Sequence, residues 1–239
     1  MNEVNSLWIG KELSTINILS INSFLYNSFK YNLYVYEDIK NIPSDVNVLD
    51  GNEIVNESEI FVYKRGFNKG SPSAFSNLFR YELLFQKGGL WVDTDIVYLK
   101  NFNLDERFVF ASEIDYEGNL KVATGLMYSK DKKEQLFKEL IDEVNLRDKD
   151  DLNHGDIGPI LFDWKVKEFD LMEYVKKPEI FSYPNWSDIY KIVDGTSIHE
   201  ESVCIHLWAS RWQNDGMDPY KEYDKNCIYE KLKRKYYVN

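Results

Sequence analysis

The first part of the chain alternates between strand and helix patterns. Apolar residues over Val4–Ile9 predict a strand, and those over Tyr31–Tyr36 predict another. Between them, over about Ser14–Phe29, apolar positions recur at helical spacing. A strand–helix–strand order is typical of a parallel pair, so we expect an α/β fold with a mostly parallel sheet flanked by helices.

The middle of the chain contains a well-marked helix followed by a strand. The run Ser71-Pro72-Ser73 predicts a helix start, because a serine oxygen can cap free amides and proline fits the first turn. Gly88-Gly89 ends this helix, since glycine readily adopts the left-handed conformation found at helix ends. Leu90–Val92 then predicts a strand that leads directly into two aspartates.

The remaining pattern predicts shorter elements. Between about residues 51 and 70 it is weak and polar, and predicts only helix fragments and loop. Further strands are predicted over Val46–Leu49, Phe108–Ser112, Val122–Ser129, Ile180–Tyr183 and Val203–Leu207, and helices over Lys132–Val144 and Ile157–Glu168.

Composition limits the classes of protein to consider. A chain of 239 residues that is 44% hydrophobic can bury one sizeable core, so we expect one domain. The net charge of -11 argues against a broad nucleic-acid surface. Cys204 and Cys227 are too few for a disulfide framework or a thiolate cluster, and we expect buried free thiols. With neither a signal-peptide pattern nor a long apolar run, the sequence predicts a cytoplasmic protein.

The tail from Lys225 to Tyr237 departs from the acidic average because basic and aromatic residues are mixed there. Such a mixture on a short helix can dock on an anionic membrane face. A solvated C-terminal helix explains the same pattern equally well.

The pair Asp93 and Asp95 is the main candidate for chemistry. In extended backbone, residues two apart point to the same side, so both carboxylates would converge. Buried carboxylates repel each other and lose hydration, and Mg²⁺ or Mn²⁺ would relieve both costs while attracting phosphates. Such a triplet is often a solvated turn or helix cap, but the apolar strand before it favours a buried site.

Two segments, Ser76–Tyr81 and Gly88–Asp95, resemble the DXD-motif sugar transferases of the glycosyltransferase family 32 type, which include capsular polysaccharide and mannosyl transferases. Weaker matches, which have the same order along the chain as in that family, lie at Leu7–Gly10, Leu33–Tyr36, Gly158–Leu161 and Ile205–Trp208. The resemblance implies a single GT-A domain over residues 1–239. Within it, about residues 1–100 bind the nucleotide, about 101–220 bind the acceptor, and about 220–239 form a basic helix.

The resemblance also implies an activity and its ligands. It implies retaining transfer of a hexose from a UDP-sugar, or alternatively a GDP-sugar, to a glycan or lipid-linked acceptor in surface polysaccharide synthesis. Asp93 and Asp95 would contact the Mn²⁺ or Mg²⁺ ion and the ribose or sugar, and His206 is the candidate third metal ligand. Such an enzyme would be cytoplasmic, with its basic tail at the inner membrane face.

Further candidates lie around this pair. Arg80 follows Asn77 by three residues on one helix face, and its planar fork suits a diphosphate or sugar hydroxyl. Related sequences commonly have aspartate where this chain has Asn77, which weakens one inferred sugar contact. Trp8, at the end of the first strand, either stacks on the nucleotide base or packs in the core.

Two later positions complete the set. Trp208, with nearby Trp212 and Arg211, either closes over the leaving phosphate or packs in the core. Asp156, in a glycine-rich stretch before a helix, either contacts the acceptor or sugar as a catalytic-site residue or caps the helix.

Two other classes of function fit part of the pattern. One is a non-catalytic nucleotide-sugar or glycan-binding module, supported by Asn77. The other is a metal-dependent phosphohydrolase, which usually needs more carboxylates or histidines than this chain, with three histidines, provides.

Overall fold

A six-stranded sheet forms the centre of the computed structural model, which describes residues 3–66 and 68–238. The sheet order is β3-β2-β1-β4-β7-β6; the first four strands are mutually parallel, and β7 and β6 are antiparallel to their neighbours. Strands β5 and β8 form a separate antiparallel pair. The strands are β1 Glu3–Leu7, β2 Lys30–Val35, β3 Asn47–Asp50, β4 Gly89–Val92, β5 Ile96–Tyr98, β6 Phe108–Ile114, β7 Leu120–Ser129 and β8 Cys204–His206.

Helices cover both faces of this sheet, which confirms the predicted α/β class. The helices are α1 Thr15–Tyr26, α2 Ser73–Lys87, α3 Gln135–Leu146, α4 Pro159–Glu168, α5 Pro178–Phe181, α6 Lys191–Asp194, α7 Ala209–Asn214 and α8 Ile228–Lys235. Short 3₁₀ turns lie at Gly51–Glu53, Glu57–Glu59, Lys149–Asp151, Met172–Tyr174 and Trp186–Asp188.

Local signals explain where the two principal helices begin and end. Ser14 caps α1 in a reciprocal box, in which its Oγ accepts from Asn17 N and Asn17 Oδ1 accepts from Ser14 N. Helix α2 ends at Gly88, whose φ of 67° lies in the left-handed region as the double glycine predicts. The helix therefore delivers the chain directly into β4.

One predicted strand is wrong, and one observed strand was not predicted. The segment Ile180–Tyr183 was expected to be extended, but Pro178 starts the short helix α5 there, because proline favours a first helical turn. Only Tyr183 makes an isolated bridge, to Ile205. Strand β5 was not predicted because its three residues, Ile96, Val97 and Tyr98, favour a strand but are too few to show an alternating pattern.

Strand β4 is covered on both faces. Leu90 and Val92 pack into a cluster shared with α1, whereas Trp91 packs on the opposite face with α2, α3 and α4. Alternating sides of a pleated strand produce this division. Because β4 is a central, doubly covered strand, the residues that follow it emerge at the edge of the core.

Three remaining predictions concern the thiols, the tail and the membrane. Cys204 and Cys227 are free and buried, as predicted. The basic tail forms α8, whose N-cap is Cys227; the predicted range also includes Asn239, which lies outside the described residues. Within the described part of the chain, no helix is both long and apolar enough to cross a membrane.

Candidate functional site

Asp93 and Asp95 lie where β4 leaves the sheet and turns towards β5. Asp93 N donates to Gly125 O on β7 at 2.8 Å, and Ile96 N donates to Asp93 O at 3.1 Å, which closes the turn. The sequence argument assumed extended backbone here, and that premise is wrong because the triplet is a turn. The two carboxylates therefore take different partners.

Asp93 is held by two side chains. Arg80 Nη2 lies 3.1 Å from Asp93 Oδ1, and Nη1 donates to Oδ2 at 3.4 Å. Trp91 Nε1 donates to Oδ1 at 3.0 Å, so this oxygen has two donors. A bidentate guanidinium together with an indole N–H fixes the plane of the carboxylate.

Arg80 is 4% exposed and its guanidinium is committed to protein acceptors. Besides the two contacts to Asp93, Nε donates to Ser76 O at 3.2 Å, Nη2 to Ser76 Oγ at 3.1 Å and Nη1 to Thr124 O at 2.6 Å. A guanidinium has five N–H groups, and five acceptors surround this one. The predicted contact of Arg80 with a diphosphate or sugar stays a prediction, while the geometry favours a positioning role.

Asp95 interacts with the C-terminal part of the chain. Its Oδ2 accepts from Ala209 N at 2.8 Å, and its Oδ1 lies 3.3 Å from His206 Nε2. Burial opposes charge on both groups, but their mutual attraction outweighs it. The pKa of Asp95 is accordingly lowered and that of His206 raised, as expected of an ion pair.

The imidazole of His206 occupies a tight position. It stacks on Trp208, with ring centroids 3.5 Å apart and planes inclined by 23°. On another side lies Gly125, where an ideal Cβ would be 3.2 Å from His206 Cε1. The absence of a side chain at Gly125 therefore gives the imidazole its room.

The donor set at the turn suits a hard cation in one respect. Asp95 Oδ1 is buried and, among the described residues, has no hydrogen bond of acceptable geometry. An orphaned carboxylate oxygen is costly unless a cation or water satisfies it. In the described ranges, no group of three or more His, Cys, Asp or Glu side chains is already arranged to hold a metal ion. The fit to a cation therefore rests on Asp95 Oδ1, and the predicted set of Asp93, Asp95 and His206 stays a proposal.

Asn77 and Asp156 lie on the α2 and α4 side of the site. Asn77 is buried, and its amide donates to Ser73 O at 3.2 Å and packs on Gly158, where an ideal Cβ would be 2.8 Å away. Asp156 Oδ2 accepts from Asn153 N at 2.7 Å within its own loop. Asp156 therefore does not cap α4, whose N-cap is Gly158. A substrate contact by Asp156 stays a prediction.

The predicted tryptophans have different environments. Trp8 is partly buried, and its Nε1 has no partner among the described residues. Trp208 Nε1 donates to Pro184 O at 2.7 Å, so this indole stabilises the fold beside His206. Trp212 is 1% exposed and packs in the core, as the packing alternative predicts.

Several site residues were missed by the sequence argument. Asn17 Nδ2 donates to both Thr94 O and Thr94 Oγ1 at 3.2 Å, which attaches the centre of the turn to α1. Glu113, at the end of β6, lies close enough to His206 for each charge to affect the other, and burial raises its pKa. The capping box of Ser14 and Asn17 is a local sequence signal, but the contact of Asn17 with Thr94 depends on tertiary packing.

A family model matches the part of the chain that contains this turn. The model is described as the glycosyltransferase sugar-binding region containing the DXD motif, and it matches residues 16–110. This match supports a glycosyltransferase that uses a nucleotide-sugar donor. No curated protein matches the chain.

The chain is also similar to solved structures. One, named PaToxG glycosyltransferase, has 15% identity and a TM-score of 0.51, and the alignment covers 100% of this chain and 85% of that one. Another, a transferase with two cysteine-to-serine substitutions, has 11% identity and a TM-score of 0.47, covering 77% of this chain and 92% of that one. The first similarity shows a shared fold.

Proposed function

We propose that this chain is a metal-dependent, retaining hexosyltransferase of the family 32 type. It transfers a sugar from a UDP-sugar, or alternatively a GDP-sugar, to a glycan or lipid-linked acceptor in surface polysaccharide synthesis. The observation that carries the proposal is the DXD turn at the end of β4, where Asp93 is fixed by Arg80 and Trp91 while the buried Oδ1 of Asp95 faces His206 without a hydrogen bond of acceptable geometry.

In this proposal Asp95, Asp93 and His206 hold Mn²⁺ or Mg²⁺. Asp95 would offer Oδ1, and His206 Nε2, 3.3 Å from it, would coordinate as the neutral imidazole after losing the proton that Asp95 stabilises. The bound ion supplies positive charge that stabilises the departing nucleoside diphosphate. Trp208 and Gly125 keep the imidazole in place by stacking and by leaving space.

The other side chains bind and orient. Arg80 acts on Asp93 by positioning, and Asp93 faces the ribose or sugar of the donor. Trp8 stacks on the base, Asn77 supports the α2 face, and Asp156 contacts the acceptor or sugar. Donor binding then belongs to about residues 1–100 and acceptor binding to about 101–220 of the chain.

Retention is explained by substitution on the face that the phosphate leaves. The leaving phosphate oxygen accepts the proton of the acceptor hydroxyl as the new glycosidic bond forms, so no separate protein base is required. Stabilisation of the leaving group is then the largest contribution to rate.

A screen of UDP- and GDP-sugars by thermal shift, with and without Mn²⁺, tests the proposal, since a ligand that binds only the native state raises Tm. We expect one donor class to stabilise the protein only with metal. Asp95→Asn should lose this stabilisation, whereas Asp45→Asn, an exposed control, should keep it. Full donor response in Asp95→Asn would contradict the assignment.

A non-catalytic nucleotide-sugar or glycan-binding module is the alternative, because Asn77 is buried and bonded to Ser73 O instead of presenting a carboxylate. Donor hydrolysis separates the two functions. A module would show the metal-dependent thermal shift without releasing nucleotide. A transferase would slowly transfer the sugar to water and release UDP or GDP.

We further propose a cytoplasmic enzyme with peripheral contact at the inner membrane face through α8. Lys231, Arg234 and Lys235 are exposed there, and Tyr237 is 79% exposed beside them. Cosedimentation with anionic vesicles should decrease when the three basic residues become glutamine. The same charge change at exposed Lys132, Lys133 and Lys138 should not reduce it; equal loss in both variants would contradict a localised contact.

A further inference from the structure

An aromatic cluster lies on the surface at the tip of the β6–β7 hairpin. Tyr116 is 87% exposed, and its ring centroid is 4.1 Å from that of Trp186, with the planes inclined by 67°. Neither ring belongs to the three apolar core clusters as a buried member. A held aromatic pair that faces solvent is a feature of ligand-binding surfaces.

Trp186 is anchored by the hairpin. Its Nε1 donates to Ile114 O at 2.9 Å, and the neighbouring Asn185 side chain accepts from Ile114 N and donates to Ile114 O, both at 3.1 Å. Three hydrogen bonds to one residue keep the indole in a defined orientation. Tyr116 therefore packs against an indole ring whose orientation is fixed by the hairpin.

The ion pair of Arg211 and Asp215 lies beside the Trp186 ring. Arg211 Cζ lies 5.4 Å from the Trp186 ring centroid, and Arg211 forms a bidentate ion pair with Asp215 at 2.9 and 3.1 Å. Tyr190 OH donates to Asp215 O at 2.7 Å, so Tyr190 also contacts this ion pair. Aromatic rings beside fixed polar groups match a pyranose, which has an apolar C–H face and hydroxyls at its rim.

Two short segments connect this cluster to the acidic turn. Ala209 N donates to Asp95 Oδ2, and Arg211 follows two residues later, so its Cα is within about 7.6 Å of that of Ala209. Trp208, stacked on His206, donates to Pro184 O, and Trp186 follows two residues after Pro184. Arg211 is thus two residues from a hydrogen bond to Asp95, and Trp186 is two residues from a hydrogen bond to Trp208.

We propose that Tyr116, Trp186 and Arg211 form a subsite for a pyranose unit of the acceptor. This proposal rests on the proposed transferase function and names the residues that select its second substrate. Two rings and one ion pair span about one sugar unit, whereas a stable protein partner needs about 800 Å² on each side.

The experiment measures binding independently of transfer. Saturation-transfer NMR, with irradiation of aromatic protons, would be run on a panel of methyl glucoside, galactoside, mannoside and N-acetylglucosaminide with wild type. We expect at least one glycoside to bind, and Tyr116→Ala to weaken its binding about tenfold, as for loss of an aromatic contact. Tyr116→Phe should retain binding because the ring remains.

Controls separate this proposal from the proposed function. Tyr237→Ala removes another exposed tyrosine and should bind the glycosides as wild type does. Metal-dependent donor hydrolysis, which needs no acceptor, is measured in parallel on the wild-type protein. No glycoside binding by wild type, or unchanged binding in Tyr116→Ala, would overturn the subsite even if hydrolysis is normal. Absent hydrolysis with intact glycoside binding would overturn the transferase and leave the sugar subsite supported.

Discussion

The Arg80 guanidinium spans both oxygens of the Asp93 carboxylate, with Nη2 3.1 Å from Oδ1 and Nη1 3.4 Å from Oδ2. Because Arg80 also donates to Ser76 and to Thr124 O, it joins α2, the acidic turn and β7. The ion pair therefore links the fold to the position of one DXD carboxylate.

Replacing this fork with a single ammonium should affect both stability and the site. Arg80→Lys keeps the charge but leaves buried acceptors unpaired, so we expect a loss of about 1–3 kcal/mol in the free energy of unfolding, measured in urea. The metal-dependent donor response should also weaken. Arg107→Lys is the matched control, since Arg107 makes a bidentate pair with Glu134 on the surface. An equal effect of both variants on the donor response would contradict the role assigned to Arg80.

The indole N–H of Trp91 should matter to Asp93 beyond the packing of its ring. Trp91→Phe removes the 3.0 Å bond to Asp93 Oδ1, and the buried acceptor loses one of its donors. We expect lower stability and a weaker metal-dependent donor shift. Trp212→Phe tests specificity, because Trp212 is equally buried and its Nε1 also donates to a protein acceptor, Leu207 O. Trp212→Phe should lower Tm while the donor shift persists; if both variants lose the shift, the effect is general.

The sequence predicted the elements that depend on local patterns. The apolar run before Asp93 and the double glycine each determine an element boundary through neighbouring residues, and both agree with the structure. The helix predicted to start at Ser71–Ser73 does begin there, but its N-cap is Pro72 and no serine side chain caps it. The prediction of a strand over Ile180–Tyr183 failed because a four-residue segment with three apolar or aromatic residues suits a strand or a short helix, and Pro178 favours the helix.

The contacts within the site could be predicted only in part. The bond from Arg80 to Thr124 O requires β7 to lie beside β4 in the sheet, and strand order is not encoded in a local pattern. His206 meets Asp95 because β8 pairs with β5, and no local pattern shows which strand a three-residue strand pairs with. The family resemblance suggested His206 as a metal ligand together with Asp93 and Asp95. The structure adds that His206 pairs with Asp95.

Gly125 should control the position of His206. A methyl group at this site would lie 3.2 Å from His206 Cε1, so Gly125→Ala should displace the imidazole by a few tenths of an ångström. We expect a higher Mn²⁺ concentration for half-maximal donor stabilisation. In a double-mutant cycle with His206→Ala, Gly125→Ala should add little further loss, since both changes act through one side chain. Additive losses would show that Gly125 acts elsewhere.

The two thiols should report on global unfolding. Cys204 has no exposed surface and lies on β8 two residues before His206, while Cys227 is 1% exposed at the N-cap of α8. Burial raises the pKa of both thiols, so neither is ionised at neutral pH, and the thiolate is the reactive form.

Ellman's reagent should therefore react negligibly with the native protein. In guanidinium, where the protein is unfolded, it should react with both thiols. Metal plus the stabilising nucleotide sugar should slow the reaction at intermediate denaturant in wild type but not in Asp95→Asn. Rapid reaction of either thiol in native buffer would contradict the described packing around β8 or α8.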